Sequence, residues 1–387
     1  MTTSDGSSAT AAHLSGARRQ DAPAGESPAG TDDAGSRTPA DLIESILVEM
    51  RRILVGQTRM QERLVVCLLS RGHCLLESVP GLAKTLAAES LATITGGNFK
   101  RVQFTPDLLP SDIVGTRIYR PSTEDFDTEL GPVFTNVLLA DEINRAPAKV
   151  QSALLEVMGE RHVTIGGTTH PVPDPFFVVA TQNPIESEGV YELPDAQRDR
   201  FLMKVVMGHP SREEELAIID RVSVRIPAPH TVIGHDQVKA LQNAADRVYV
   251  DATVKAYAVD VVLATRTPGL YGMPDLESVI RLGGSPRASL GLVRGARALA
   301  LMRGRTHATA QDVFDIAPEI LRHRLILSYE ALARELTADH VIAQILSTVP
   351  AEPLTPRNND EAPRDGPTFP DLPADAFASP PPPGASP

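Results

Sequence analysis

The sequence predicts an α/β fold: a parallel sheet carrying a phosphate-binding loop, then a smaller α-helical domain, with disordered termini. Three observations predict it. A strand–loop–helix unit runs from Gly72 to Leu86, two short apolar runs at Val137–Ala140 and Phe176–Ala180 each end in polar residues, and beyond about residue 211 the apolar period is helical.

In the first unit, a strand at Cys74–Leu76 enters a loop holding Pro80 and Gly81, and Lys84-Thr85 open a helix that continues to Leu91. Backbone N–H groups and the positive end of the helix dipole surround an anion in such a loop, so a polyphosphate fits there. Lys84 reads as the partner of the β/γ-phosphates and the Thr85 hydroxyl as part of a Mg²⁺ shell. The usual spacing, Gly-x4-Gly-Lys-Ser/Thr, is met by Ser78-Val79-Pro80-Gly81-Leu82-Ala83-Lys84-Thr85, with both outer glycines replaced. If position 78 requires a positive φ, Ser78 costs about 1–2 kcal/mol; if it requires only a small side chain, Ser78 is harmless.

A run of four apolar residues, Val137–Ala140, has the character of a strand buried on both faces and ends in Asp141-Glu142. Acids at the carboxyl end of a buried parallel strand sit where open α/β sheets hold ligands. Asp141 is placed to orient Mg²⁺ through water and Glu142 to polarise an attacking water as general base. Phe176–Ala180 ends in Thr181-Gln182-Asn183-Pro184, which brings Asn183 to the same edge, where an amide can hold water or a γ-phosphate. Upstream, Val55-Gly56-Gln57 interrupts a helical period. That turn either lies against a nucleotide base or simply joins two helices.

In chain order, residues 1–37 lack an apolar period and are expected to be disordered. Thr38-Pro39-Ala40-Asp41 supplies an N-cap, a first-position Pro and a first-turn acid for the opening helix. Lys100–Phe104 reads as a short strand and residues 113–136 as a weakly structured insertion. Ile143–Met158 reads as one helix, Glu160–Ile165 and Thr169–Val172 as a hairpin around Gly166-Gly167, Gly189–Leu193 as a loop, Pro194–Arg200 as a short helix and Leu202–Met207 as a closing strand. Ser211 and Glu214 form a capping box that starts the second domain. Its helices are expected at Leu216–Val222, Val238–Val248, Val254–Thr265, Pro286–Leu301, Ala310–Leu321 and Asp339–Leu346. Ser285-Pro286 places Arg287 in a first turn, where a cation opposes the helix dipole unless an anion stands before it. From Pro350 onward Pro dominates, in a polyproline II tail.

Composition excludes several classes. Aromatic residues are 4% with no Trp, so a base-stacking platform is not expected. The formal charge of -12 lies half in the tails, and the hairpin offers Arg161, His162 and His170 but no Lys, so nucleic acid is not an expected partner. Cys67 and Cys74 are too few for a metal clip and are expected to be buried, reduced thiols. No apolar run is long enough to span a membrane, and the chain is expected to be cytoplasmic.

With these residues in hand, the chain resembles the MoxR family of AAA+ ATPases from about residue 40 to 348. The resemblance is carried by the loop from Ser78 to Thr85, Gln103–Asp112, Ala140–Ala146, Ala180–Pro184, Leu193–Phe201 and Ser285–Ala288. It implies an AAA+ αβα sandwich over residues 38–210, a P-loop NTPase fold, followed by a small α-helical lid over 211–349. It further implies that Lys84 and Thr85 are Walker A, Asp141 and Glu142 Walker B, Asn183 sensor 1 and Arg287 sensor 2, with Arg200 an arginine finger acting on ATP of the neighbouring subunit. Thr85 and Asp141 would serve Mg²⁺. Arg287 is expected beside Lys84 in its own site. The implied activity is Mg²⁺-dependent ATP hydrolysis that remodels or activates client proteins, in a ring, usually a hexamer, often with a partner bearing a von Willebrand factor A domain. A nucleotide-gated scaffold with little turnover, a DNA-translocating motor and a chelatase-type motor subunit are the alternatives.

Overall fold

The computed structural model describes residues 37–122, 124–184, 191–222 and 227–351. Both tails expected to be disordered therefore lie outside the described residues, apart from their innermost positions, as do the first two residues of the Gly189–Leu193 loop.

The Thr38 hydroxyl accepts from the Asp41 amide (3.2 Å) and the Asp41 carboxylate accepts from the Thr38 amide (3.0 Å), which starts α1, Pro39–Ile53. After α2 (Thr58–Leu69) come β1 (Cys74–Ser78), α3 (Lys84–Ile94), β2 (Phe99–Gln103), α4 (Pro110–Val114), β3 (Gly115–Arg120), β4 (Asp125–Leu130) and β5 (Val137–Asp141). Then follow α5 (Ala148–Glu160), β6 (His162–Ile165), β7 (Thr168–Pro171), β8 (Phe177–Gln182), α6 (Asp195–Arg198) and β9 (Met203–Met207). Five strands form one sheet in the order β2-β5-β8-β1-β9, every pair parallel. Side chains alternate between two cores. Leu75, Leu138, Ala140, Val178 and Ala180 pack with Val150 and Leu154 of α5, while Cys74, Leu76, Leu139, Phe177 and Val179 pack with α1, α2 and α3. Burial on both faces is why β5 and β8 read as continuous apolar runs. Cys67 and Cys74 are buried, free thiols.

Two readings are corrected. Residues 113–136 hold structure: β3 and β4 pair antiparallel from Gly115↔Leu130 to Arg120↔Asp125. Tyr119 stacks near Phe126, Arg117 lies over the Phe126 ring at 4.8 Å, and Arg120 pairs with Asp127 at 2.7 Å. A ribbon exposed on both faces has no buried side to impose an apolar alternation, so its period is invisible. The single helix expected over Ile143–Met158 is instead a 3₁₀ turn at Ile143–Arg145 followed by α5. Pro147 disfavours helical backbone at the residue before it, and Ala146 is extended (φ -92°, ψ 152°).

The remaining elements are α7 (Arg212–Val222), α8 (His235–Arg247), β10 (Tyr249–Val250), α9 (Ala252–Ala264), β11 (Ile280–Leu282), α10 (Pro286–Met302), β12 (His307–Ala308), α11 (Ala310–Leu321), β13 (Ile326–Leu327), α12 (Tyr329–Ala333) and α13 (Ala338–Thr348). The Ser211–Glu214 capping box is present, at 2.8 and 3.2 Å. The small strand pairs β10–β12 and β11–β13 are too short to leave a period in sequence. Although architecture changes near residue 211, the core runs across that point: Leu241, Val261, Leu292 and Ile316 join the same cluster as Leu42, Leu64 and Leu76. Gly295 allows the contact, because a Cβ there would lie 2.6 Å from Ile316 and 3.3 Å from Met203 of β9.

Two histidines sit in this interior. His73 accepts the Val178 amide on Nδ1 (3.0 Å) and faces the Met158 carbonyl with Nε2 (3.3 Å), a pattern suited to the neutral ring. Burial, first, and Arg161 push its pKa down to about 3. Burial and Arg324 likewise push His323, which faces the Phe201 carbonyl (3.1 Å), well below its ordinary value. Both fold as neutral rings but take up protons when unfolded below about pH 6.5. Their contribution is therefore complete above that pH and lost as pH falls from there toward the folded values, at about 1.4 kcal/mol per unit for each ring. Thermal melts should show stability falling by roughly 2 kcal/mol between pH 6.5 and 5.5, and more steeply per unit below that, and His73→Gln should flatten the slope.

Candidate active site at the strand ends

β1 ends at Ser78, β5 at Asp141 and β8 at Gln182, and the parallel register sets these ends side by side. The loop from Ser78 to Thr85 rises from the first of them. Ser78 is buried, pairs with Met207 and takes no positive φ; its hydroxyl donates to the Val79 carbonyl (3.0 Å). The left-handed residues are Gly81 (φ 86°) and Ala83 (φ 53°). Ser78 is thus unstrained, and the strain sits on Ala83. The N-terminus of α3 receives no side-chain cap from Ala83, leaving its first turn suited to an anion. The Lys84 ammonium lies over the loop carbonyls of Ser78 (3.4 Å) and Val79 (3.5 Å).

Asp141 is nearly buried. Its Oδ1 accepts from the Thr181 hydroxyl (2.6 Å) and its Oδ2 from Arg101 Nε (3.0 Å) and NH2 (2.6 Å). The Thr181 hydroxyl also accepts the Glu142 amide at 2.8 Å, so one threonine registers both acids. Glu142 turns off the strand at φ 54°, and its carboxylate meets Gln103 (2.7 Å) and Arg145 (3.0 Å). Asn183 is buried just past the end of β8. Among the described residues no group of three or more His, Cys, Asp or Glu could hold a metal by itself. A single carboxylate and the Thr85 hydroxyl fit Mg²⁺, a hard cation that keeps phosphate and water oxygens as most of its shell.

Beside the loop lies a mostly apolar cleft of about 140 Å³ lined by Leu54, Val55, Gln57, Met60, Leu82 and Ile218. Gln57 is held by a bond from its amide to the Gly208 carbonyl (3.1 Å), while Gly56 (φ 66°) lies behind it, where a Cβ would run into Glu214.

Arg200 and Arg287 are elsewhere. They line a second cleft, of about 430 Å³, with Arg71, His73, Arg161 and Arg294. Its wall includes Ser70–His73, ahead of β1, so it opens at the amino ends of the strands. One five-residue strand, about 16 Å, separates it from the phosphate loop. Arg287 therefore does not join Lys84 in its own chain, which corrects that expectation. Arg200 lies just after α6 rather than on it, exposed, its NH1 donating to the Leu155 carbonyl (2.7 Å). Arg161, offered by the sequence as a hairpin cation, is turned inward onto the carbonyls of Phe176 (2.6 Å) and Arg71 (3.0 Å).

A parallel sheet with this loop and acid pair, and helices of a lid packed on one face, define an ATPase of the AAA type. The chain accordingly matches the family model described as "ATPase family associated with various cellular activities (AAA)" over residues 73–203 and that of the AAA lid domain over 276–345. It is 57% identical over 307 residues to Chaperone MoxR1 of Mycobacterium tuberculosis, covering 79% of this chain and 81% of that one. It is 31% identical over 324 residues to Protein MoxR of Methylorubrum extorquens (78% and 93% covered). The crystal structure described as that of "a putative ATPase from Cytophaga hutchinsonii" superimposes with a TM-score of 0.77 at 43% identity, over 81% of this chain and 95% of that one. The chain belongs to the MoxR family of AAA+ ATPases.

Thr181, Gln103 and Arg145 lay inside the quoted motifs without being assigned a task, and Arg101 carried no signal, since its value comes from the β2–β5 pairing. Two substitutions test the loop. Ser78→Gly should change ATP affinity less than about threefold, because no left-handed backbone is relieved. Ala83→Val, with a branched side chain at positive φ, should weaken it about tenfold or more. Titration with a fluorescent ATP analogue measures both.

Proposed function

We propose that the chain is a Mg²⁺-dependent ATPase that works in a ring, a hexamer by family resemblance, and remodels or activates client proteins in the cytoplasm. The observation that carries this reading is the separation of charges. Lys84, Asp141 and Glu142 lie at the carboxyl ends of the strands, Arg200 and Arg287 at the amino ends. Guanidiniums that cannot reach their own phosphate loop are available to a neighbour's. Stacking such chains head to tail presents both arginines to the adjoining γ-phosphate.

In this reading the loop amides and Lys84 hold the triphosphate, the cleft at Gln57 takes the base, and Asn183 helps to fix the attacking water. Mg²⁺, when bound, neutralises charge on the phosphates. Glu142 accepts the proton of that water, and Arg200 with Arg287 stabilises the negative charge that develops on the transferred group. The relative called a chaperone supports a client-remodelling role, and a partner with a von Willebrand factor A domain is the expected companion.

A gated scaffold with little turnover is the second reading. It is favoured for the isolated chain by the pairing of Asp141 with Arg101 and of Glu142 with Arg145, which occupies both acids.

Steady-state hydrolysis against protein concentration, with variants, decides between them. Lys84→Ala should lose ATP binding, and Glu142→Gln should bind without turnover. Arg200→Ala should bind normally with turnover reduced about 10³-fold or more, and mixing it with Glu142→Gln should restore activity. Full turnover by pure Arg200→Ala would refute the shared site; binding without turnover in the wild type at every concentration would favour the scaffold.

A further inference from the structure

Arg200 stands in a stretch with little structure of its own. The four-residue α6 ends at Arg198 and β9 begins at Met203, so the carbonyls of residues 199–202 need partners from outside. Most come from one side chain. Arg324, just past α11 and with only 3% of its side chain exposed, donates NH2 to the carbonyls of Asp199 (3.1 Å) and Phe201 (2.7 Å) and NH1 to Leu202 (3.1 Å). Its Nε donates to Asp199 Oδ1 (2.7 Å). The other carboxylate oxygen of Asp199 accepts from Ser285 (2.9 Å), the N-cap of the helix that presents Arg287, and lies 3.8 Å from Arg287 itself. His323 adds a contact to the Phe201 carbonyl at 3.1 Å.

We infer that Arg324 and Asp199 are positioning residues that lock Arg200 and Arg287 into one rigid unit, so that a guanidinium from the lid sets where the sheet domain's finger points. The inference rests on the shared-site reading above. A planar fork with five donors in fixed directions fits three carbonyls and a carboxylate, which the point charge of a lysine does not. Burial pulls the Arg324 guanidinium below its ordinary value while Asp199 pushes it up. Nearby Arg294 and Arg71 take no part: neither bonds to residues 199–202. Arg324 touches nothing at the phosphate-loop end of its own chain, so its loss should leave ATP binding intact and disable only the neighbour's turnover.

The test compares Arg324→Met, Arg324→Lys and Asp199→Asn with Arg200→Ala, alone and in mixtures, by ATP binding and turnover. Each of the first three, alone, should bind ATP within about twofold of wild type yet turn over at least tenfold more slowly. Mixing any of them with Glu142→Gln, which has a dead site but an intact finger, should restore activity. Mixing with Arg200→Ala should not, because both then lack the same half of the site. Disrupted folding would abolish binding as well and would not be rescued, so rescue separates positioning from general damage. Should Arg324→Met fail to fold, Asp199→Asn and Arg324→Lys carry the same comparison. Wild-type turnover in these variants while Arg200→Ala is inactive, or a defect that Glu142→Gln subunits fail to rescue, would overturn the inference. If pure Arg200→Ala is itself active, the shared-site reading fails instead.

Discussion

The Thr181 hydroxyl stands between two neighbouring strands and fixes the chemistry of both. It donates to Asp141 at 2.6 Å and accepts the Glu142 amide at 2.8 Å, so β5 and β8 cannot shift register without separating the acid pair from its support. In a sheet buried on both faces a slip of one residue would also exchange the side chains facing the two cores. Packing and the geometry of the acid pair thus demand the same register. The phosphate loop follows, because β1 is paired with β8 over Cys74↔Val179 to Glu77↔Gln182 and can end only beside them.

Charge is concentrated on one lid helix, α11, and on the segment that follows it, partly within the lid and partly against the rest of the chain. On α11, Asp312 is buried against Arg303 (2.8 Å) and Arg305 (2.5 Å), and Glu319 against Arg59 (2.5 Å) of α2. Arg324 follows on the same segment with Asp199. Such pairs add little net stability, because desolvation of the buried carboxylates and solvent screening at the exposed Arg59 and Arg303 offset most of the attraction. Such contacts therefore specify one docking geometry more than they strengthen it. That geometry connects α2, which begins beside the cleft at Gln57, with the stretch that carries Arg200.

Sequence reasoning reached the fold through buried periodicity and the site through short polar endings of apolar runs. Both signals are local, and both were legible. The helices of the lid, the capping box at Ser211 and the position of Arg287 in a first turn were legible for the same reason. What was hidden depends on partners far away in the chain. Arg324 is one of three basic residues in a row, Arg322-His323-Arg324, and acquires its role only when residues 199–202 fold against it. The β3–β4 ribbon leaves no apolar face to detect. Whether Arg287 stands at the phosphate end or the opposite end of the sheet is a property of how the lid docks, which no single segment encodes. The left-handed turn at Ala83 was hidden differently: the missing glycines drew attention to Ser78, a strand residue that needs no special backbone.

The close approach of α10 to the sheet bears on assembly in another way. Contacts between unlike faces of identical chains close into a ring only if each copy is rotated by the correct angle; otherwise they continue as an open helix. In the ring we propose, one face of the contact lies at the phosphate loop and the other bears Arg287 on α10, so that angle would follow from how α10 lies against Leu202 and Met203. Gly291 and Gly295 make this seam, with Leu202 3.4 Å and Met203 3.3 Å from where their Cβ atoms would be. A bulkier residue there would tilt the lid and change the pitch of the assembly. In the proposed ring, two glycines that offer no side chain to the reaction would then decide between a closed ring and a filament.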